Sequence, residues 1–202
     1  MIINSFLIFV VNIIYEKILN FFFNKKNARN FVAGTHALSC VLLNGIYFVT
    51  RNDYICELSY CVTFGYFLYD LMYIFLYEGI NLLRGLFVYH HLSSIYLLLN
   101  NDLFYNTNLL FFLGELSNLP NYIIYHYLHE KNLSANKKEI LKVSKIIQKF
   151  LYTTIRIFVM SYLSFEMYNN LNFSDWETLK LSIIIAPIYF MGIIWTIAML
   201  LQ

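Results

Sequence analysis

The sequence predicts an all-α, polytopic transmembrane helix bundle. Three observations carry that prediction. Of 202 residues, 59% are hydrophobic and only 13% charged, against roughly 25% charged in soluble domains. The mean hydropathy is +0.58. The apolar residues also fall in continuous runs without the alternation of barrel strands, and backbone groups in lipid leave only helices or closed barrels.

Seven runs are candidate spans: residues 1–23, 31–49, 54–77, 86–99, 103–127, 150–168 and 179–201. Crossing hydrocarbon takes roughly 20 residues, so the short fourth run is expected to take in Gly85 near the interface. The first run has no basic residues before it and no small-residue cleavage site, and Lys25, Lys26 and Arg29 follow it. Residues 1–26 therefore read as a retained membrane anchor, although Glu16 and Lys17 also allow a helix lying on the surface. Residues 27–202 form the main domain. Between Glu130 and Lys149, lysines interleave with Ile140, Leu141, Val143, Ile146 and Ile147, the pattern of an interfacial amphipathic helix running into the sixth span.

Threading the spans gathers Lys25, Lys26, Arg29, Arg84, Lys131, Lys137, Lys138, Lys142, Lys145 and Lys149 on one side, and leaves Arg51 on the other. The positive-inside rule then makes the basic side cytosolic, the N-terminus lumenal and Gln202 cytosolic. The sequons at Asn132 and Asn172 fall on opposite sides and would report the threading. Cys40, Cys56 and Cys61 lack metal-type spacing and read as small core residues. The formal net charge of +2 gives no reason to expect nucleic acid as a partner.

Ionisable groups inside spans are costly, about 2.5–3.5 kcal/mol each at the bilayer centre, and are functional candidates by default. His36, Asp70, His90 and His91 are expected roughly 8–10 Å below the cytosolic interface at 1.5 Å per residue, with Arg156 at a similar depth. Glu115, with Asn118 one turn on, is expected deeper. Tyr66, Tyr69, Asp70, Tyr73 and Tyr77 follow helical spacing and would share a face; alone, the tyrosines read as a packing stripe. Ser94 lies one turn from the histidines. Pro120 is expected to bend the fifth span. Arg156 could simply extend to the headgroups, and His126 and His129 read as solvated. Together these residues outline a polar cavity open to the cytosol.

Several stretches carry a resemblance. Arg29-Asn30-Phe31-Val32 with Thr35-His36-Ala37, then Gly65-Tyr66-Phe67-Leu68-Tyr69-Asp70-Leu71, then His90-His91, then Glu115-Leu116-Ser117-Asn118-Leu119-Pro120 resemble, in order, segments of the TLC domain family, the module of ceramide synthases and of the translocating-chain-associated membrane protein. The resemblance covers about Asn27 to Leu201. It implies a six-helix barrel around a hydrophobic tunnel, with the first span as an accessory helix. It further implies an endoplasmic reticulum membrane protein of lipid metabolism, with acyl-CoA as co-substrate and no bound cofactor. His90 or His91 would carry an acyl group to an amine or hydroxyl acceptor, Asp70 would orient or activate the imidazole, and His36, Tyr66, Tyr69, Tyr73, Ser94, Glu115, Asn118 and Arg156 would bind substrate. The histidines and acidic residues that extend the ceramide synthase pattern are missing after Ser94, so the chain looks closest to the short TLC-domain proteins.

The expected partners are membrane lipids, acyl-CoA and a second copy in a homodimer. The alternative is a non-catalytic lipid-binding regulator of membrane composition or a helper in membrane-protein insertion or export. A di-iron hydroxylase would need more histidines than the five present. A proton-coupled transporter would need paired repeat halves, which are not visible.

Overall fold

The computed structural model describes residues 2–79, 81–100, 107–130, 133–170 and 176–201. Lys131, Asn132, Asn172, Asp175, Gln202 and the start of the run at 103 lie outside the described residues. Among those described, all regular structure is helical, in seven rods. They are α1 (Ile2–Leu19), α2 (Lys25–Thr50), α3 (Asp53–Tyr73) continued by a π turn at Ile74–Glu78, α4 (Leu82–Leu99), α5 (Thr107–Leu128), α6 (Ala135–Leu151) and α8 (Trp176–Leu200). α6 runs through a π-helical stretch, Tyr152–Val159, into α7 (Met160–Asn170), so the connector and the sixth apolar run make one rod.

Short polar residues set the boundaries. Asn24, Asn52 and Asn81 cap α2, α3 and α4, their side-chain oxygens each accepting a backbone N–H at 2.9 Å, from Asn27, Tyr54 and Arg84. Such caps satisfy amides that the first helical turn leaves open. α2 therefore starts six residues ahead of its apolar run, a difference with consequences for the site. It ends where Arg51 takes a left-handed conformation, φ 52°. The π turn after α3 stops at Gly79, φ 70°, whose N–H reaches Ile74 O at 3.1 Å.

Five helices are long and apolar enough to cross a membrane: Ile2–Leu19, Lys25–Thr50, Asp53–Glu78, Leu82–Leu99 and Ser182–Leu200. By length and composition this is a multi-pass membrane protein. The expected fifth and sixth spans are helical too, but their polar residues, among them Glu115, Asn118, Asn121 and Arg156, keep them out of that set. Those residues are turned toward one another across the α5 and α6–α7 rods. The outward faces bear large apolar side chains, such as Ile3 and Phe6 of α1 and Val49 of α2, suited to lipid.

Around the cavity, neighbouring rods run antiparallel. α2 packs on α3 through Arg29 to Asp70, His36 to Tyr66 and Asn44 to Ser59. It packs on α5 through Asn30 to Tyr122 and Phe48 to Phe112. α4 meets α3 at Asp70 and His91, and α8 through a Phe87–Trp195 stack at 5.2 Å. The π stretch lies against α5 and α8 through Arg156, which touches Ser117 and approaches Gly192. α1 stands outside this arrangement, on the far face of α3. Gly65 makes that possible, because a Cβ there would lie 2.6 Å from Ser5 O and 2.8 Å from the Ile8 side chain. Glu16, which interrupts the apolar run of α1, is buried in this contact beside Tyr69.

Candidate functional site

A cavity of about 660 Å³ opens between the ends of the rods that carry Lys26, Arg29, Glu78, Arg84 and Gln148, and every rod except α1 contributes to its wall. One side is polar; Leu83 and Phe87 of α4 with Trp195 and Met199 of α8 make the other apolar. A smaller chamber of about 120 Å³ lies deeper, walled by Leu97, Leu110, Phe111, Met160 and Ile188. Phe67, His90, Glu115, Asn118 and Arg156 border both spaces and form the passage between them.

The outer tier is built on Asp70. Its Oδ1 accepts from Arg29 Nε at 3.1 Å and from Nη2 at 2.8 Å, and its Oδ2 lies 2.9 Å from His91 Nε2. An ionised carboxylate only accepts, so His91 Nε2 is the donor in this pair, and in the neutral ring the lone pair then lies on Nδ1. That Nδ1 is buried without a hydrogen-bond partner, as is Nδ1 of His90. Arg29 also donates to Glu78, and Arg84 Nε meets Glu78 at 3.0 Å, so the mouth is ringed by mutually compensated charges. The Phe67 ring of α3 sits 4.7 Å from His91 and 6.3 Å from His90, in contact with both imidazoles.

The inner tier lies roughly 10 Å deeper, the rise of α2 from Arg29 to His36. His36 is buried, stacked on Tyr66 at 4.0 Å with 9° between ring planes, and its Nε2 is 3.7 Å from Glu115 Oε1. That separation permits an ionic contact but is too long for a hydrogen bond. Arg156 reaches across from the π stretch: Nε donates to Ser117 Oγ at 2.9 Å, and Nη2 to Gly114 O and Asn118 Oδ1, both at 3.1 Å. Tyr152 OH donates to the same Asn118 oxygen at 2.8 Å and accepts from Asn121 Nδ2 at 2.6 Å. π-helical insertions change which residues of a rod face inward, and here the inward residues are Tyr152 and Arg156.

The residues singled out from sequence thus divide. Asp70, Tyr66, His90, His91, Glu115, Asn118 and Arg156 line the outer cavity, and Ser94 lines the inner chamber with His90. His36 does not line either; it backs Tyr66 and pairs with Glu115 rather than with Asp70. The expected single layer is two tiers. Tyr69 and Tyr73 are corrections as well, since neither ring borders the cavity. Residues 69 and 70 point about 100° apart on a helix, so a stripe holding both spans two faces. Tyr69 is fully buried in the core cluster that α1 covers. Tyr73 lies behind Arg29, whose guanidinium carbon is 4.4 Å from its ring.

Arg29, Glu78, Asn121, Tyr122, Gln148 and Tyr152 are site residues that the apolar-run reading passes over. Arg29 looks like a loop cation only while α2 is started at 31; the Asn24 cap is the signal that brings it inside the helix. His126 rests on Phe31 and His129 Nδ1 contacts Tyr125 O at 2.9 Å, so the H-x-x-H pair is not gathered. Among the described residues no three His, Cys, Asp or Glu side chains come together as a metal site. Compared with family models, curated proteins and solved structures, the chain finds no match in any of the three.

Proposed function

We propose that this is a membrane acyltransferase of the TLC type, which transfers an acyl group from a thioester, acyl-CoA, to an amine or hydroxyl of a lipid. The observation that carries the reading is the Asp70–His91 pair at 2.9 Å, set beside His90 where a polar cavity passes into an apolar chamber. A carboxylate bonded to one imidazole nitrogen fixes the tautomer and makes the other nitrogen a better base or nucleophile. In this reading His90 is the acyl carrier. Its ring nitrogen adds to the thioester carbonyl, the C–S bond breaks, and the departing thiolate takes the ring proton. The acceptor then attacks the acyl-imidazole carbon, His91 takes the acceptor's proton and passes it to the His90 nitrogen as the C–N bond breaks, and His90 is released as neutral imidazole.

Other features fit. That α2, α3, α4, α5, the α6–α7 rod and α8 share the cavity wall supports reading them as a six-helix barrel with α1 as the accessory helix. Lys26 at the mouth suits the phosphates of an acyl-CoA arriving from the cytosol, in an endoplasmic reticulum membrane with the N-terminus lumenal.

Intact mass of the purified protein incubated with decanoyl-CoA or palmitoyl-CoA, with no acceptor, tests the proposal. A mass gain equal to one acyl group, lost in His90→Ala, is expected; on adding an amine acceptor the adduct should clear quickly in wild type and slowly in Asp70→Asn. Wild-type protein that never gains mass would turn the reading toward a non-catalytic lipid-binding regulator.

A further inference from the structure

Arg156 stands apart from the other arginines of the cavity. Arg29 and Arg84 meet carboxylates, Asp70 and Glu78. Arg156 places its hydrogen bonds on neutral acceptors, Ser117 Oγ, Gly114 O and Asn118 Oδ1. Among the described residues no carboxylate lies within ion-pair distance of it. Glu115, which borders the same passage, feels its charge and is linked to it through Asn118, at 3.4 Å, without a direct ion pair. A cation inside a membrane bundle is expensive without a counter-charge, and such groups mark substrate or ion pathways.

Its position says which kind of counter-charge fits. The guanidinium sits where the polar cavity gives way to the apolar chamber. Gly192 of α8 faces it, and a Cβ there would come within 3.7 Å of Nη1, so the missing side chain leaves room beside that nitrogen. From Gly114, whose carbonyl Arg156 holds, to Thr107 at the far end of the chamber, α5 rises roughly 10 Å. A cation at one end of an apolar slot of that length complements an anion with a tail of medium length.

We infer that the inner chamber binds a medium-chain carboxylate, its head on Arg156 and its chain among Leu97, Leu110, Phe111 and Met160. This deepens the acyl-transfer reading, because a carboxylate is what water would release from an acyl-imidazole. The site does not need that reaction to exist. Carboxylate recognition by a planar guanidinium is charge-assisted and strong.

The test is scintillation-proximity binding of radiolabelled decanoate to the full chain in nanodiscs. In wild type, unlabelled decanoate is expected to compete, while 1-decanol and decyltrimethylammonium at equal concentration do not. Arg156→Gln is expected to weaken binding about tenfold to a hundredfold, the scale of a lost charge-assisted contact. Gly192→Leu, which keeps the guanidinium and fills the space beside it, is expected to weaken binding comparably. Equal competition by decanol in wild type overturns the inference without any variant, and so does unchanged affinity in both variants. Decanoate binding without an acyl adduct would keep this site and remove the acyl-transfer reading; an adduct without decanoate binding would do the reverse.

Discussion

Tyr66 and Tyr69 sit one turn apart on α3 and have opposite fates. Tyr66 lines the cavity and carries His36 stacked on its ring. Both belong to the buried core cluster on which Phe9, Ile13, Tyr15 and Leu19 of α1 pack, but Tyr69 is fully buried and does not reach the cavity. The difference is not in the tyrosines. Gly65 admits α1 to within touching distance of one face of α3, while on the other face Asp70 recruits Arg29 from α2 and His91 from α4. One face of α3 is closed by a glycine and the other is held open by a carboxylate.

The largest effect is expected at that carboxylate. Asp70→Ala leaves the buried His91 without its acceptor and the half-buried Arg29 with Glu78 alone, and breaking a buried pair costs about 3–5 kcal/mol. Thermal unfolding in detergent should show it as a large loss of stability, part of which Arg29→Met added to Asp70→Ala restores. A double variant no better than the single would mean that Arg29 is not held by this charge.

Gly65→Val probes the closed face. Forcing a side chain against Ser5 and Ile8 should cost roughly 1–3 kcal/mol through overpacking and loosen α1, read as faster proteolysis of the α1–α2 connection at residues 20–24. An unshifted cleavage rate would place α1 elsewhere.

Tyr66→Leu is expected to cost about 1 kcal/mol beyond lost area, the worth of an aromatic stack, and to lower acyl-adduct formation by freeing His36. Tyr69→Leu should lower stability and leave the adduct unchanged. If both change the adduct equally, the two faces are not functionally distinct.

Lys25→Gln gives the smallest change. Lys25 Nζ lies 3.4 Å from the centre of the Tyr77 ring, an exposed cation–π contact worth about 0.5–1 kcal/mol. A midpoint shift within that range is expected on thermal unfolding; a loss as large as that of Asp70→Ala would make the rim a structural clamp.

Much of the helix arrangement can be read from the chain, because apolar runs of span length in a nearly uncharged sequence leave helices as the choice. Asp70, His90 and His91 are legible for the same reason, being ionisable groups where lipid would reject them. Arg29 is not, since hydropathy discards the polar Lys25–Asn30 turn that Asn24 caps into α2. Tyr69 and Tyr73 are misread because spacing along one helix gives neighbours on that helix, while a lining residue is defined by what packs opposite. Only the contact at Gly65, between residues about sixty apart in sequence, decides that. The π stretch leaves no periodic signature either, so Arg156 could be placed at the headgroups or in the cavity with equal ease.

The central claim is that one face of α3 borders an open cavity and the other is closed by α1. Single cysteines at positions 66 and 69, in a background with Cys40, Cys56 and Cys61 changed to alanine, test it directly with a membrane-impermeant maleimide in sealed vesicles. Rapid labelling of Tyr66→Cys from the side bearing Lys26, with Tyr69→Cys unreactive until the protein is unfolded, is the result expected. Equal labelling at both positions, or labelling at 69 alone, would contradict it.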